Sequence, residues 1–358
     1  MQCHATRMKR LGVCAFVLAF SACHTESPVA PRPESSAPVV ASASAPATST
    51  GVAPSASASA SAAVPAASSA VTQAAPPVDL ALGGRLYDSF FRDGSHAAGF
   101  EPDASSTKGK ADGKGGPRKD GSLLNKDGTP LLNDAGHDYR LKNFFGWDLR
   151  GESGIYGAGY MKKGYVLKVD LLAGRESAKE LASWLKNGTA EVPAYGSVMD
   201  DASLAAVAEF IVAVRERKLV HPADVFDLKA GSPGNYSLRS GGNAARGKEL
   251  YGQRCAGCHG NDGTKLLFDG GEFSLGSHAR QKAYEDWLKI MNGQPGTGTG
   301  KWTYIGTMGP QLKGSGAEMT RELLDLFAAL CDRAAFPKGA AKGKDVDNGD
   351  ARCRDYLR

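Results

Sequence analysis

One run of residues constrains this chain more than any other: Arg254-Cys255-Ala256-Gly257-Cys258-His259-Gly260. C-x-x-C-H is the attachment signature of a c-type haem. The two-residue gap lets both thiols add to vinyl groups on one porphyrin edge. The neighbouring imidazole of His259 is then delivered to the iron as proximal ligand. Covalent attachment suits work outside the cytoplasm, where a lost cofactor is not easily replaced. The competing readings are a zinc half-site and a chance disulfide pair. A zinc site needs a second Cys/His pair at metal-ligand spacing, and the sequence offers none.

The remaining cysteines sort by position: Cys3, Cys14 and Cys23 at the extreme N-terminus, Cys331 and Cys353 near the other end. In an oxidising compartment the default for Cys331 and Cys353 is a disulfide pinning the tail to a helix, with two free thiols as the alternative. The formal net charge of +5 is mild and the basic residues are scattered. Composition therefore gives no argument for a nucleic-acid partner.

The chain begins with an address. Arg7, Lys9 and Arg10 form a positive n-region, Leu11 to Phe20 a short apolar core, and Phe20-Ser21-Ala22-Cys23 an ending of small residues before a cysteine. That is the layout of a secretory signal over residues 1–22. Its last four residues resemble a bacterial lipobox, with Phe20 where that motif usually has Leu. The resemblance implies cleavage before Cys23 and a lipid on its thiol; ordinary signal cleavage is the alternative. The apolar core is too short to span a bilayer. The expectation is a protein held in the cell envelope, at the periplasmic side or surface, by a lipid anchor. Residues 23–78 are almost wholly Ala, Ser, Pro, Thr and Val. They have little to bury and read as a disordered tether, or a plain spacer through an envelope layer.

Beyond the tether the periodicity is helical. Gly83-Gly84-Arg85-Leu86-Tyr87 opens a helix near Leu80, and residues 93–138 read as a solvated loop. Ser177 to Asn187 sets Leu181, Trp184 and Leu185 on one face, with a capping box at Ser177 and Glu180 and Gly188 as terminator. A helix over 203–218 turns Leu204, Val207, Phe210, Ile211 and Val214 inward, and residues 229–243 read as a Gly/Pro/Ser linker. Asn243 to Gln253 is a helix leading into the cysteine motif. Ala283, Tyr284, Trp287, Leu288 and Met291 face one side of a middle helix that ends at Asn292-Gly293. Met319 to Cys331 is a final helix with Leu323, Leu324, Phe327 and Leu330 inward, and residues 336–358 are a polar tail. His96, His137, His221 and His278 are dispersed and read as surface residues.

Helix, cysteine motif, middle helix, methionine loop, final helix: over residues 240–335 this order resembles a class I cytochrome c domain. The resemblance implies a small all-α fold and an iron held by His259 and Met308. Met308 precedes Gly309-Pro310 in the Gly-rich loop from Gln294 to Gly316, where the family places its Met-Pro. A thioether is a soft ligand that favours Fe(II) and raises the potential. Met291 continues the stripe of Tyr284 and Trp287 and reads as core; Met319 starts a helix and reads as surface or packing.

Residues 79–225 repeat the layout. Gly83-x-x-Leu86-Tyr87 mirrors Gly247-x-x-Leu250-Tyr251, and Arg140, Gly146 and Asp148 lie over Arg254, Gly260 and Asp262. Trp184-Leu185-Lys186 and Asn187-Gly188 echo Trp287-Leu288-Lys289 and Asn292-Gly293, and Val192-Pro193 falls where Met308-Gly309-Pro310 should be. No single match is specific, but a shared order is hard to reach by chance. In this register Leu141 and Phe144 take the cysteine positions, Phe145 the histidine and Val192 the methionine. Four apolar residues would fill what is otherwise a large cavity. The chain thus resembles a two-domain, dihaem-type cytochrome c family whose first haem site is lost; an unrelated helical domain is the alternative.

Three functional classes are open. One is a single-electron carrier with one covalent haem c, exchanging electrons with redox partner proteins; it is no enzyme by itself. Another is a haem-carrying, electron-accepting subunit of a larger redox enzyme. The third is a five-coordinate haem that binds a small ligand or decomposes peroxide, which requires an unligated Met308. No distal His or Arg pattern for peroxide chemistry stands out, which favours the carrier.

Overall fold

The computed structural model describes residues 79–90, 123–124, 130–131, 140–157, 166–189, 192–228, 235–295 and 308–358. The predicted signal, Cys23, the tether, His96 and His137 lie outside the described residues. Helix accounts for 53% and strand for 4% of the interpretable region, so the protein is mostly helical rather than purely α. No helix among the described residues is long and apolar enough to cross a membrane.

In the first half, helix α1 (Leu80–Ser89) is capped by the Asp79 side chain. Two short antiparallel strands follow, β1 (Leu123–Leu124) and β2 (Pro130–Leu131). Then come α2 (Leu141–Phe145), α3 (Ala178–Asn187) and α4 (Asp201–Arg215). The capping box at Ser177 and Glu180 and the Gly188 terminator are present. A strand pair, β3 (Phe226–Leu228) and β4 (Tyr236–Leu238), closes this half. The predicted linker 229–243 thus contains a paired strand, because Phe226, Tyr236 and Leu238 are buried as part of the core.

In the second half, α5 (Ala244–Arg254) leads into the four-residue α6 (Ala256–His259), followed by α7 (Leu275–Asn292) and α8 (Gly316–Leu330). Helix α7 extends N-terminally beyond the apolar face read from the sequence and is broken at Lys282 (φ −137°, ψ 38°). The Tyr236 hydroxyl donates to Gln281 O at 3.3 Å and accepts the Ala283 N–H at 3.1 Å, satisfying the broken turn from strand β4.

The predicted polar tail is packed. Arg280, fully buried, pairs with Asp345 and donates to Leu330 O and Phe336 O. Cys331 and Cys353, both buried, are disulfide-bonded with Cα atoms 5.8 Å apart. Tyr356 accepts the Gly242 N–H and donates to Arg239 O. Residues 336–358 thereby brace α7 and α8 instead of trailing in solvent.

Each half packs its first helix against its last at a glycine. A Cβ on Gly83 would lie 2.1 Å from Ala206 O, and one on Gly247 would lie 1.9 Å from Asp325 O. Such distances leave room for hydrogen only, so α1 meets α4 and α5 meets α8 backbone against backbone. Asp325, fully buried beside Gly247, accepts the Asn243 N–H at 2.7 Å and pairs with Arg246. Both predicted domains fall inside one packed unit covering residues 72–358.

Candidate functional site

Cys258 and His259 of the cysteine motif sit on α6, a single turn, and Cys255 flanks its N-terminus. Cys255 is half-buried and Cys258 exposed; both are free thiols. Burial pushes the Cys255 thiol up to about 11, against the lowering influence of Arg254. The turn is fixed on both sides. Gly260 terminates it at φ 82°, and the Tyr251 hydroxyl donates to Gly260 O at 2.6 Å. Arg254 ties it to α8 by a paired contact with Glu322 and to the methionine segment through Gln311 O at 2.9 Å.

His259 is half-buried, and its Nδ1 is enclosed without a hydrogen-bond partner among the described residues. Burial lowers its pKa, only partly opposed by Asp286, so the imidazole is held in the neutral, ligand-competent form. Its ring lies 5.9 Å from Phe268, which lies 5.6 Å from the His278 ring. His278 is not the surface residue read from the sequence. It is buried and its Nδ1 lies 2.9 Å from Asp286 Oδ1. The two residues are eight apart on α7, and no spacing rule in the sequence singled out the pair.

Met308 is half-buried against the core. Its carbonyl accepts the Gln294 N–H at 2.8 Å, and Gln311 N–H reaches Ile290 O at 2.9 Å, so both ends of this segment hang on the C-terminus of α7. Met291 and Met319 are buried among core side chains. Trp287 on α7 is fully buried, and its indole Nε1 has no partner among the described residues. An enclosed, unpaired His259 nitrogen on the same turn as two free thiols fits a site that another group would complete. Among the described residues, no group of three or more His, Cys, Asp or Glu side chains is arranged to hold a metal ion.

The equivalent positions of the first half are closed. Leu141, Phe144, Phe145 and Val192 are all at most 3% exposed. Phe145 packs on Trp184 at 6.0 Å and Phe144 on Tyr195 at 6.4 Å. The frame around them repeats that of the second half. Tyr87 donates to Gly146 O at 2.6 Å, as Tyr251 does to Gly260 O. Thr189 N–H donates to Val192 O at 2.9 Å, as Gln294 N–H does to Met308 O. Gly188 and Gly293 both have positive φ, and Asn187 and Asn292 each donate to the carbonyl four residues back. Aligned on these C-caps, Trp184 stands opposite Lys289, so the Trp-Leu-Lys match of the sequence is displaced by two residues.

A charged cluster that the sequence reading missed lies between the halves. Asp88 on α1 is buried and meets Arg140 at 2.5 Å, Lys289 of α7 at 3.3 Å and Lys142 at 3.8 Å. Although burial alone would raise it, these cations hold the Asp88 carboxyl well below the usual carboxylate range. The Lys142 ammonium, buried and pushed well down by desolvation, sits 3.3 Å from the Trp147 ring centroid. No run of like charges marked this cluster; its members come from three separate segments.

Compared with known proteins, the chain matches no family model, no curated protein sequence and no solved structure.

Proposed function

We propose that this protein is an extracytoplasmic c-type cytochrome that carries single electrons on one covalently bound haem c. The observation that carries the reading is the cysteine motif on an anchored helical turn, with two free thiols and a neutral, half-buried His259 whose Nδ1 is unpaired. Cys255 and Cys258 would hold the porphyrin edge, His259 the proximal side and Met308 the distal side. When bound, the haem supplies a one-electron Fe(III)/Fe(II) couple. The chain's own part is to fix the two ligands on separate elements, α6 and the segment hung from α7. Residues 79–225 are read as a cytochrome c-like domain without haem, its ligand positions closed by Leu141, Phe144, Phe145 and Val192. Cys23 would carry the lipid that tethers the protein to an envelope membrane, within reach of its redox partners.

Mass spectrometry of the mature protein tests this directly. One haem addition is expected, lost in the Cys255→Ala/Cys258→Ala chain; two additions, or none, overturn the reading. Met308→Ala should remove the near-infrared Fe–Met charge-transfer band and lower the potential, whereas Met291→Ala should leave the band and cost about 2–5 kcal/mol of stability.

A further inference from the structure

The geometry points to the first half as a clamp on the methionine segment: α1 holds the C-terminus of α7, which in turn holds Met308. Three contacts build the clamp. The Asn292 side chain lies directly over Gly84, where a Cβ would be 2.1 Å from its Cγ. Arg85 Nη1 donates to Asn292 O at 3.1 Å, fixing the last residue of α7. Lys289 reaches Asp88 at 3.3 Å with the same ammonium that donates to Gln294 Oε1 at 2.9 Å. Gln294 N–H then donates to Met308 O. A continuous polar chain therefore runs from α1 of one half to the backbone of the predicted ligand in the other.

Among the described residues the first half shows no such arrangement at its own equivalent. Thr189 N–H makes the matching bond to Val192 O, but Trp184, which stands opposite Lys289, carries no charge, and Lys186 near the end of α3 pairs with Asp201 of the same half. The asymmetry matches need. Val192 is held by burial, while a half-buried methionine on a short segment needs its backbone fixed if its thioether is to stay in one place. The consequence for the iron rests on the haem reading above; the clamp on the segment does not. Arg85 and Lys289 are positioning residues: they act on Met308 through Asn292 and Gln294 and would touch no cofactor.

The experiment uses Arg85→Ala and Lys289→Met separately in the full chain. Lys289→Met keeps the aliphatic stem and guards against a misfolded Arg85 variant. In the haem-free Cys255→Ala/Cys258→Ala background, amide exchange at Gln294 should rise at least tenfold in each variant. Exchange at Thr189, the equivalent bond of the first half, should stay unchanged. In the haem-loaded chain the Fe–Met band should weaken in the same variants at unchanged covalent haem content. Unchanged Gln294 exchange or equal opening of Thr189 overturns the clamp, and an intact band in both variants overturns its consequence for the iron. If no haem is attached at all, the functional reading falls and the amide measurement still decides the clamp.

Discussion

The two halves build the same local frame around opposite contents. In both, a tyrosine from the first helix ties down the carbonyl of the glycine that ends a short helical turn. In both, the residue after a helix-ending glycine donates its N–H to a carbonyl, that of Val192 in one half and of Met308 in the other. What differs is what the frame encloses. Phe145 is fully buried; His259, its counterpart, is half-buried with an unpaired nitrogen. Asp148 is fully buried and its carboxyl is raised to about 6 by desolvation. Its counterpart Asp262 is held below the usual range by bonds from Thr264. A frame fixed by backbone bonds is indifferent to whether its interior is filled by side chains or left for another group.

The sharpest way to break this comparison is to empty the sealed half. Phe145→Ala removes a fully buried ring packed on Trp184 and should cost about 3–5 kcal/mol in denaturant unfolding. His259→Ala in the haem-free chain should cost clearly less, because the imidazole fills less of its surroundings. Equal losses at the two positions would mean that both interiors are packed alike and that the second half is not an open site.

Helix identities and ends were readable in the sequence where the chemistry is local. Ser177 with Glu180, Asn243 ahead of α5, and the Asn-Gly ends of α3 and α7 are all decided within a few residues. The errors fall where distant groups intervene. Helix α7 is bridged at its break by Tyr236, from β4, which bonds Gln281 and Ala283. The tail packs because Arg280 finds Asp345, a pairing that no periodicity encodes, and because Cys331 bonds Cys353, the disulfide expected from the sequence. The same holds for the site. Cys255, Cys258 and His259 are a contiguous motif and readable at once, whereas the bond from Arg85 to Asn292 spans 207 positions.

The buried carboxylate gives a second separation of the halves, through pH. Asp148 Oδ2 accepts the Ile155 N–H, but Oδ1 has no partner among the described residues, and burial favours the neutral acid. Its folded pKa of about 6 lies above the ordinary unfolded value near ~3.9. The folded chain therefore binds more protons between these values. Its stability from this group is greatest at low pH and falls by about 3 kcal/mol as pH rises through 6. Asp148→Asn should remove that slope in urea unfolding between about pH 4 and 7, read as the difference from the parent chain. Asp262, with its pKa lowered, works with the opposite sign: its stabilisation is present above the unfolded value and is lost as pH falls. Asp262→Asn should leave the slope between pH 4 and 6 in place, and a parallel loss of slope in both variants would erase the distinction drawn here.

The smallest effect probes what the halves share. Tyr87→Phe and Tyr251→Phe each delete one 2.6 Å bond, to Gly146 O and Gly260 O. Each carbonyl keeps a longer bond from the residue three positions on, Leu149 N–H at 3.3 Å and Gly263 N–H at 3.4 Å. Neither is left orphaned, so each change should cost about 1 kcal/mol rather than the larger penalty of a buried unpaired carbonyl. The two tyrosines belong to separate frames with no shared partner, so the double variant should lose the sum within about 0.5 kcal/mol. Equal single costs that add would establish the turn-anchoring tyrosine as a repeated element with the same job on either side. Unequal costs would place the likeness in the order of residues alone. A loss at Tyr251 accompanied by poorer haem attachment, with none at Tyr87, would instead show that the frame of the second half is tuned to its occupant, since Gly260 directly follows the histidine that the anchored turn presents.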